Sequence, residues 1–245
     1  MVLGKNNKRM KTICLICCRG GSKGIPNKNI KNFCGKPLLE WTINNATKAD
    51  IFDEIILSTD SDKIAKVGIA LGVTVPGLRP DFLATDNADV FDTHKYIFDQ
   101  LNINDDENAV CILTNNPFID SKLLKEGFRL AKKENFKTIA LDTVHVGGDY
   151  LYFRQLYEKN GYLKFHFPDE MEKSGINRQA YKPTFTTINN MRWGLPSSLE
   201  NYNVYKNDII KNGIIPIPLS KKHNFDIDDK DDWNIAEAVF EKLFL

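Results

Sequence analysis

The sequence has no long apolar run. The longest near the amino terminus covers residues 13–18, follows several basic residues and is closed by Arg19. A run this short cannot span a bilayer, and no small-residue cleavage signal follows it. We therefore expect a cytoplasmic protein without a membrane partner.

The sequence also has little excess charge and no low-complexity composition. Its 33 Lys and Arg residues balance 32 Asp and Glu residues, so no global field would hold nucleic acid or an anionic membrane. The 15 glycines, 10 prolines and 42% hydrophobic residues in 245 predict a folded chain. This length fits one large domain over residues 1–245. Any anion must be bound by a local group of charges.

Cysteines are few, and their number, five, is odd. Cys14 and Cys17 have the C-x-x-C spacing of zinc and redox sites. In the strand that we predict there, residues three apart point to opposite faces, and no second Cys pair or His pair completes a site. We therefore expect reduced thiols buried in the core.

The first 145 residues alternate short β-rich runs with amphipathic stretches. This pattern predicts an α/β fold with a mainly parallel sheet covered by helices on both faces. The predicted strands are 12–18, 54–59, 109–114 and 138–142. Four helices are predicted: one begins at Pro37, and the others cover residues 64–71, 90–101 and 121–133.

The pattern changes after residue 148. Residues 149–166 alternate aromatic and polar side chains around Asn160-Gly161, which predicts an inserted β-hairpin arm. An extended segment over 184–189, a short helix near Ser197, a strand over 214–217 and a carboxy-terminal amphipathic helix follow.

The most informative segment is Arg-Gly-Gly-Ser-Lys-Gly-Ile-Pro-Asn-Lys-Asn at residues 19–29, directly after the first predicted strand. Ligands bind at this edge of open α/β sheets. Its three glycines allow positive φ angles and an anion-binding nest of N–H groups, and Arg19, Lys23 and Lys28 add positive charge. An oligophosphate would fit. The segment matches neither the Walker A nor the dinucleotide pattern, so a solvated basic loop remains an alternative.

Two acids near the carboxyl terminus suggest a metal site. Asp226 and Asp228 are two apart in an extended stretch, so their side chains point to the same face. Two carboxylates beside a triphosphate would suit Mg²⁺. Alternatively, the acids of this stretch only favour the start of the last helix.

These motifs resemble the acylneuraminate cytidylyltransferase family. The resemblance rests on residues 19–29, Gly35-Lys36-Pro37-Leu38, Ser58-Thr59-Asp60, Leu78-Arg79-Pro80 and Phe225-Asp226-Ile227-Asp228. It implies a Rossmann-like, GT-A-like three-layer nucleotidyltransferase fold. The implied reaction transfers CMP from CTP to a nonulosonic or related 2-keto-3-deoxy sugar acid for surface glycan biosynthesis, and releases pyrophosphate.

The resemblance also implies roles for individual residues. The residues implied to bind nucleotide are Arg19, Gly20, Gly21, Ser22, Lys23, Lys28, Asn29 and Arg79. Arg79 would contact cytosine. Arg19, Lys23, Lys28 and Asp228 would be catalytic, and Asp226 and Asp228 would hold Mg²⁺. The general base stays open between an aspartate and a metal-bound water.

The acceptor side departs from the family pattern. The residues implied to bind the acceptor are Asn115, Asn116, Arg178, Gln179, Asn189 and Trp193. Where the family usually carries L-Q-P-T-S-P-L-R, residues 112–119 read I-L-T-N-N-P-F-I, and Trp193 replaces an aromatic hydroxyl. A phosphonate, a phosphorylated metabolite or another base are therefore alternative substrates, and a non-catalytic nucleotide-binding relative is an alternative function.

The arm over 149–178 corresponds by resemblance to a dimerisation arm. Its aromatic side chains are too numerous for an isolated hairpin to bury. We expect a homodimer, although packing of these rings on the parent sheet is the alternative.

Overall fold

The computed structural model describes residues 9–146, 154–173 and 184–245. Its strands are β1 (Lys11–Cys17), β2 (Asn32–Phe33), β3 (Lys36–Pro37), β4 (Glu54–Ser58), β5 (Asn108–Leu113), β6 (Ala140–Val146), β7 (Leu156–Lys159), β8 (Tyr162–Phe165), β9 (Thr184–Gly194) and β10 (Ile215–Pro218). Its helices are α1 (Leu38–Ala49), α2 (Asp62–Ala70), α3 (Val90–Leu101), α4 (Ser121–Lys133), α5 (Pro168–Lys173), α6 (Pro196–Leu199), α7 (Tyr202–Asn212) and α8 (Lys230–Phe244).

The central sheet has six strands in the order β10-β6-β9-β5-β1-β4. β1 pairs in parallel with both β4 and β5, and β6 pairs in parallel with β10. Only β9 runs antiparallel, between β5 and β6. The chain adds β4 on one side of β1 and then β5 on the other, so the strand order reverses there. A crevice is expected outside the carboxyl ends of β1 and β5.

Helices cover both faces of the sheet, which confirms the predicted α/β fold. One buried cluster joins the sheet to α1, α2 and α4 through side chains such as Ile43, Ile64 and Leu124. A second cluster joins the opposite face to α3, α6 and α7. A third joins α8 to Ile25 and Ile227, the residues at the predicted phosphate loop and between the two predicted metal ligands.

The structure confirms most predicted elements and extends several. The predicted helices over 90–101 and 121–133 have the expected ends. The β7–β8 hairpin turns at Asn160-Gly161, whose φ angles of 56° and 79° suit such a turn. The segment expected to stop at residue 189 continues as β9 to Gly194, and α5 and α7 were not predicted.

The cysteine prediction holds only in part. All five cysteines are free, and Cys14, Cys18 and Cys111 are buried as expected. Cys17 and Cys34 are half-buried, because Cys17 is the last residue of β1 and Cys34 lies in the turn between β2 and β3. Within the described ranges, no helix is both long enough and apolar enough to cross a membrane.

Candidate active site

A cleft of about 530 Å³ opens at the carboxyl ends of β1 and β5, within the size range of small-molecule sites. It is formed by four segments that are distant in sequence. Its lining residues are Cys17, Arg19, Ser22, Lys23, Gly24, Ile25, Lys28, Asn29, Thr114, Asn115, Asn116, Ile188, Asn189, Asn190, Asp226, Ile227 and Asp228. The structure thus brings the predicted phosphate loop and the predicted metal ligands to one cavity.

The basic loop and the acidic segment touch each other directly. The Lys28 Nζ donates to the backbone carbonyl of Ile227 at 2.6 Å and lies 3.7 Å from the Asp228 Oδ1. A Cβ on Gly24 would overlap the backbone carbonyl oxygen of Asp228. Ile25 and Ile227 are buried in the same cluster beneath this contact. Apolar packing of Ile25 with Ile227 and the contacts of Lys28 therefore fix the two segments against each other.

The loop glycines do not act as the sequence predicted. None of Gly20, Gly21 and Gly24 has a positive φ, and Asn27 at φ 54° provides the left-handed turn. The Gly20 N–H donates to the Asp60 Oδ1 at 2.8 Å, so this amide is engaged within the protein. Gly21 lies outside the main cleft and lines an adjoining pocket. The expectation of positive φ angles at these glycines was wrong; Gly24 is required for close approach to Asp228 instead.

The carboxylate of Asp86 contacts two cations of the basic loop. Asp86 accepts from the Arg19 Nη1 at 2.7 Å and lies 2.8 Å from the Lys23 Nζ. Hydrogen bonds from Lys23 and Arg19 keep the pKa of the Asp86 carboxyl below its ordinary value. Asp86 therefore occupies the position at these two cations that an anionic ligand would take.

Asp86→Asn should bind CTP, the nucleotide that the sequence resemblance implies, about two- to fivefold more tightly, because the ligand no longer displaces a charged partner from Arg19 and Lys23. Calorimetric titration at low salt measures this change. Asp81→Asn, an exposed acid of the same segment, is the matched control. Weaker binding by Asp86→Asn would show that the carboxylate helps to bind the nucleotide rather than competing with it.

Arg79 lies in a second pocket that shares Cys17 and Arg19 with the cleft. Its side chain is only 6% exposed, and its Nη2 lies 3.6 Å from the Asp60 Oδ1. Its Nε and Nη2 have no hydrogen-bond partner among the described residues. A buried guanidinium with unused donors can recognise a carbonyl and a ring nitrogen of a base.

Asp226 and Asp228 both line the cleft, and the buried Ile227 between them turns inward, as the alternation predicted. The helix-start interpretation applies to their neighbours: Asp229 caps α8 and forms a capping box with Asp232. The described residues contain no cluster of three His, Cys, Asp or Glu side chains suited to a metal. Two carboxylates completed by phosphate oxygens and water nevertheless fit Mg²⁺, which favours that ligand set.

The predicted amides of the acceptor side are engaged in internal hydrogen bonds. Asn115 donates through Nδ2 to the Asn29 Oδ1 at 2.9 Å and accepts from the Thr42 hydroxyl at 2.8 Å. Asn116, 4% exposed, donates through Nδ2 to the Phe225 carbonyl at 2.7 Å. Asn116 thus ties the acidic segment to the end of β5. Both side chains shape the cleft, a role that the sequence did not indicate.

Trp193 does not reach the cleft, so its predicted contact with an acceptor was wrong. Its side chain is fully buried and stacks on Phe52 with ring centroids 5.5 Å apart. The register of β9 places Trp193 beside Cys111 and Ala140, on the face covered by α4. Asn189 does line the cleft. Arg178 and Gln179 lie outside the described residues.

The fold is that of cytidylyltransferases of known structure. A CMP:2-keto-3-deoxy-manno-octonic acid synthetase complexed with CTP superposes with a TM-score of 0.67 at 13% identity, covering 95% of this chain and 99% of the other. A 4-diphosphocytidyl-2C-methyl-D-erythritol synthase gives 0.65 at 14% identity, covering 95% and 99%. The family model described as cytidylyltransferase matches residues 13–172. The chain belongs to the cytidylyltransferase family.

Curated relatives include enzymes for several nonulosonic acids. The chain is 37% identical over 123 residues to a pseudaminic acid cytidylyltransferase of Campylobacter jejuni, covering 49% of this chain and 52% of that protein. It is 44% identical over 84 residues to a CMP-N,N'-diacetyllegionaminic acid synthase of Legionella pneumophila, covering 34% and 36%. The chain spans about half the length of the first of these relatives.

Proposed function

We propose that the protein transfers CMP from CTP to a nonulosonic or related 2-keto-3-deoxy sugar acid and releases pyrophosphate. The observation that carries this proposal is the direct contact between the basic loop and the Asp226–Asp228 segment in one cleft. Nucleotidyl transfer needs cations for a triphosphate beside carboxylates for a metal, and this cleft supplies both. The named relatives support CMP transfer to such an acid.

In this proposal the nucleotide lies across the basic loop. Arg19, Ser22, Lys23 and Lys28 line the cleft and would bind the phosphates, with charge-assisted hydrogen bonds of about 1.5–3 kcal/mol each. Asn29, whose amide is fixed by the Arg19 carbonyl and Asn115, would face the ribose and the reacting phosphorus. The cytosine would enter the pocket that contains Arg79, where this guanidinium offers its unused donors.

The reaction is an in-line displacement. An acceptor hydroxyl oxygen bonds to the α-phosphorus, the bond from that phosphorus to the bridging oxygen breaks, and pyrophosphate leaves with the electron pair. Arg19, Lys23 and Lys28 stabilise the departing charge. Bound Mg²⁺, held by Asp226 and Asp228, would supply further neutralisation of phosphate charge. The hydroxyl proton passes to a general base, for which an aspartate and a metal-bound water are the two candidates.

Covalent catalysis by the cleft cysteine is disfavoured. Cys17 lines the cleft at the end of β1, but burial raises the pKa of its thiol to about 11. A neutral thiol is a poor nucleophile, since the thiolate is the reactive form. We therefore expect the acceptor to attack the α-phosphorus directly, without a covalent nucleotidyl-enzyme intermediate.

We also propose a homodimer that uses the 149–178 arm, in the cytoplasm. In the described part of the arm, Tyr162 is 72% exposed and Phe165 is 38% exposed. The free cysteines are typical of a reducing compartment. A second copy would bury these rings.

Coupled pyrophosphate release tests the function. Release should require CTP, Mg²⁺ and an acceptor together, with N-acetylneuraminic, pseudaminic and 2-keto-3-deoxy-manno-octonic acids as the first set of acceptors. Thermal stabilisation should be larger with CTP than with UTP, GTP or ATP. CTP binding without release of pyrophosphate in the presence of any sugar acid or phosphonate would instead identify a non-catalytic relative, and preference for another nucleotide would contradict the assigned base.

A further inference from the structure

Asp142 is a buried carboxylate of β6 that the proposed reaction does not use. Its side chain is fully buried, and its Oδ2 accepts the backbone N–H of Asn190 at 3.0 Å. Its Oδ1 has no hydrogen-bond partner in the part of the chain that the structure describes. A buried acid with one free oxygen needs an explanation, since buried polar groups are usually satisfied.

Asp142 lies where the pairing of β6 with β9 is interrupted. The register moves from Leu141 opposite Arg192 to Thr143 opposite Thr187, so Asp142 lies opposite the whole segment 188–191. The extra residues of β9 bulge out of the ladder, and Asn189 takes a left-handed φ of 62°. Residues 188–190 line the cleft as a result.

Asn190 links Asp142 to the end of β5. Its backbone carbonyl accepts the Thr114 N–H at 2.9 Å, and its Oδ1 accepts the Thr114 hydroxyl at 2.9 Å. Asn115, which follows Thr114 in the chain, donates through its Nδ2 to the Asn29 Oδ1. A continuous path of hydrogen bonds and one peptide bond therefore runs from the buried carboxylate to a residue of the proposed nucleotide site.

The carboxylate is a poor stabiliser of the fold. Burial raises the pKa of Asp142 to about 6, against the lowering effect of the backbone N–H groups of Met191 and Asn190. Because the folded pKa exceeds the unfolded one, this group lowers the stability of the fold as pH rises from about 4 to about 6. Such a cost is expected where a group serves the site rather than the fold.

We propose that Asp142 is a positioning residue: its buried carboxylate holds the 188–190 bulge in the cleft, and this bulge orients the acceptor. The assignment of this side of the cleft to the acceptor rests on the proposed function. The role of Asp142 in holding the bulge rests on the geometry of the described residues alone.

Among the described residues, two titratable groups interact with the charge of Asp142. Cys111 on β5 and Tyr205 on α7 both have a raised pKa, mainly because of burial, and the Asp142 charge adds to both effects. Arg192 on β9 acts on the same two groups and stays charged.

The first test is hydrogen–deuterium exchange of the 184–194 segment. In wild type the amides of 189–191 should be protected from exchange, because the Asn190 N–H donates to the Asp142 carboxylate. Asp142→Asn should show about tenfold lower protection of these amides near neutral pH, because a neutral amide oxygen accepts a weaker hydrogen bond than a carboxylate does. Asp53→Asn is the matched control, because the Asp53 Oδ2 accepts the Thr12 N–H at 2.8 Å at the opposite end of the sheet.

The second test separates the two substrates, with CTP, Mg²⁺ and whichever of the three sugar acids wild type uses. Asp142→Asn should raise the acceptor KM about tenfold and leave the CTP KM within about twofold, whereas Asp53→Asn should change neither. Equal protection of 189–191 in Asp142→Asn and wild type overturns the proposal, and so does a lack of protection of these amides in wild type, which decides the case if the variant fails to fold. An equal rise of both KM values also overturns it. Absence of turnover with every acid counts against the proposed function, and the exchange result still decides the role of Asp142 in the bulge.

Discussion

Asp228→Asn should lower kcat by about 10²- to 10³-fold, the usual cost of losing one preorganised electrostatic group at a transition state. Asp228 has an exposed carboxylate in the cleft, 3.7 Å from the Lys28 Nζ. The amide that replaces it is nearly the same size but cannot offer a charged ligand to Mg²⁺. The expected measurement is pyrophosphate release as a function of Mg²⁺ concentration, with a higher half-maximal concentration for the variant.

Asp231→Asn is the matched control for Asp228→Asn. Asp231 is an exposed acid in the first turn of α8 and does not line the cleft. Its replacement removes the same charge from the same region and should leave turnover within about twofold. Similar rates for Asp228→Asn and Asp231→Asn would remove Asp228 from the catalytic machinery.

Gly24→Ala should lower kcat/KM by about 100-fold or more, because a small displacement of a phosphate-binding loop is enough to misalign the reacting groups. A Cβ at this position meets the backbone carbonyl of Asp228, which no change of side-chain rotamer can relieve. The loop and the acidic segment must therefore separate. This separation should also weaken the contacts of Lys28 with Ile227 and Asp228.

Gly21→Ala distinguishes this clash from a general effect of stiffening the loop. A Cβ on Gly21 meets no atom within 4 Å, and alanine keeps the backbone N–H. We expect a much smaller loss of kcat/KM than for Gly24→Ala, with circular dichroism confirming that both variants fold. Equal losses would show that loop flexibility matters more than the contact with Asp228.

The sequence predicts the site well where function depends on local spacing. The basic loop follows a buried strand of a parallel sheet, which places it at the ligand-binding edge. The alternation of Asp226, Ile227 and Asp228 predicts two acids on one face, and the structure turns Ile227 inward and both acids to the cleft. The helices α3 and α4 are also predictable, since each begins after an aspartate whose side chain caps it.

The sequence predicts less where position depends on register. Trp193 was assigned to the acceptor, but only the pairing of β9 with β5 and β6 shows that it faces the core. The bulge opposite Asp142 has no sequence signal apart from the Asn189-Asn190 pair, and asparagine is common in many turns. The loop glycines were misinterpreted because close approach to Asp228 depends on a contact between residues about 200 positions apart.

The helix α7 had signals that could have found it. Asn201 caps its start through its side chain, and Gly213 follows its last residue with a positive φ of 72°. Its amphipathic pattern is weak, because Tyr205 is its only buried residue among those described. Capping residues are therefore better evidence than hydrophobic periodicity for this helix.

The most direct test of the central claim is a crystal structure with CTP and Mn²⁺ in place of Mg²⁺, in which anomalous scattering locates the metal. We expect a triphosphate against Arg19, Ser22, Lys23 and Lys28, Asp86 displaced from Arg19 and Lys23, and Mn²⁺ between the phosphates and the carboxylates of Asp226 and Asp228. A triphosphate bound away from residues 19–29, or a metal with neither aspartate among its ligands, would contradict the account.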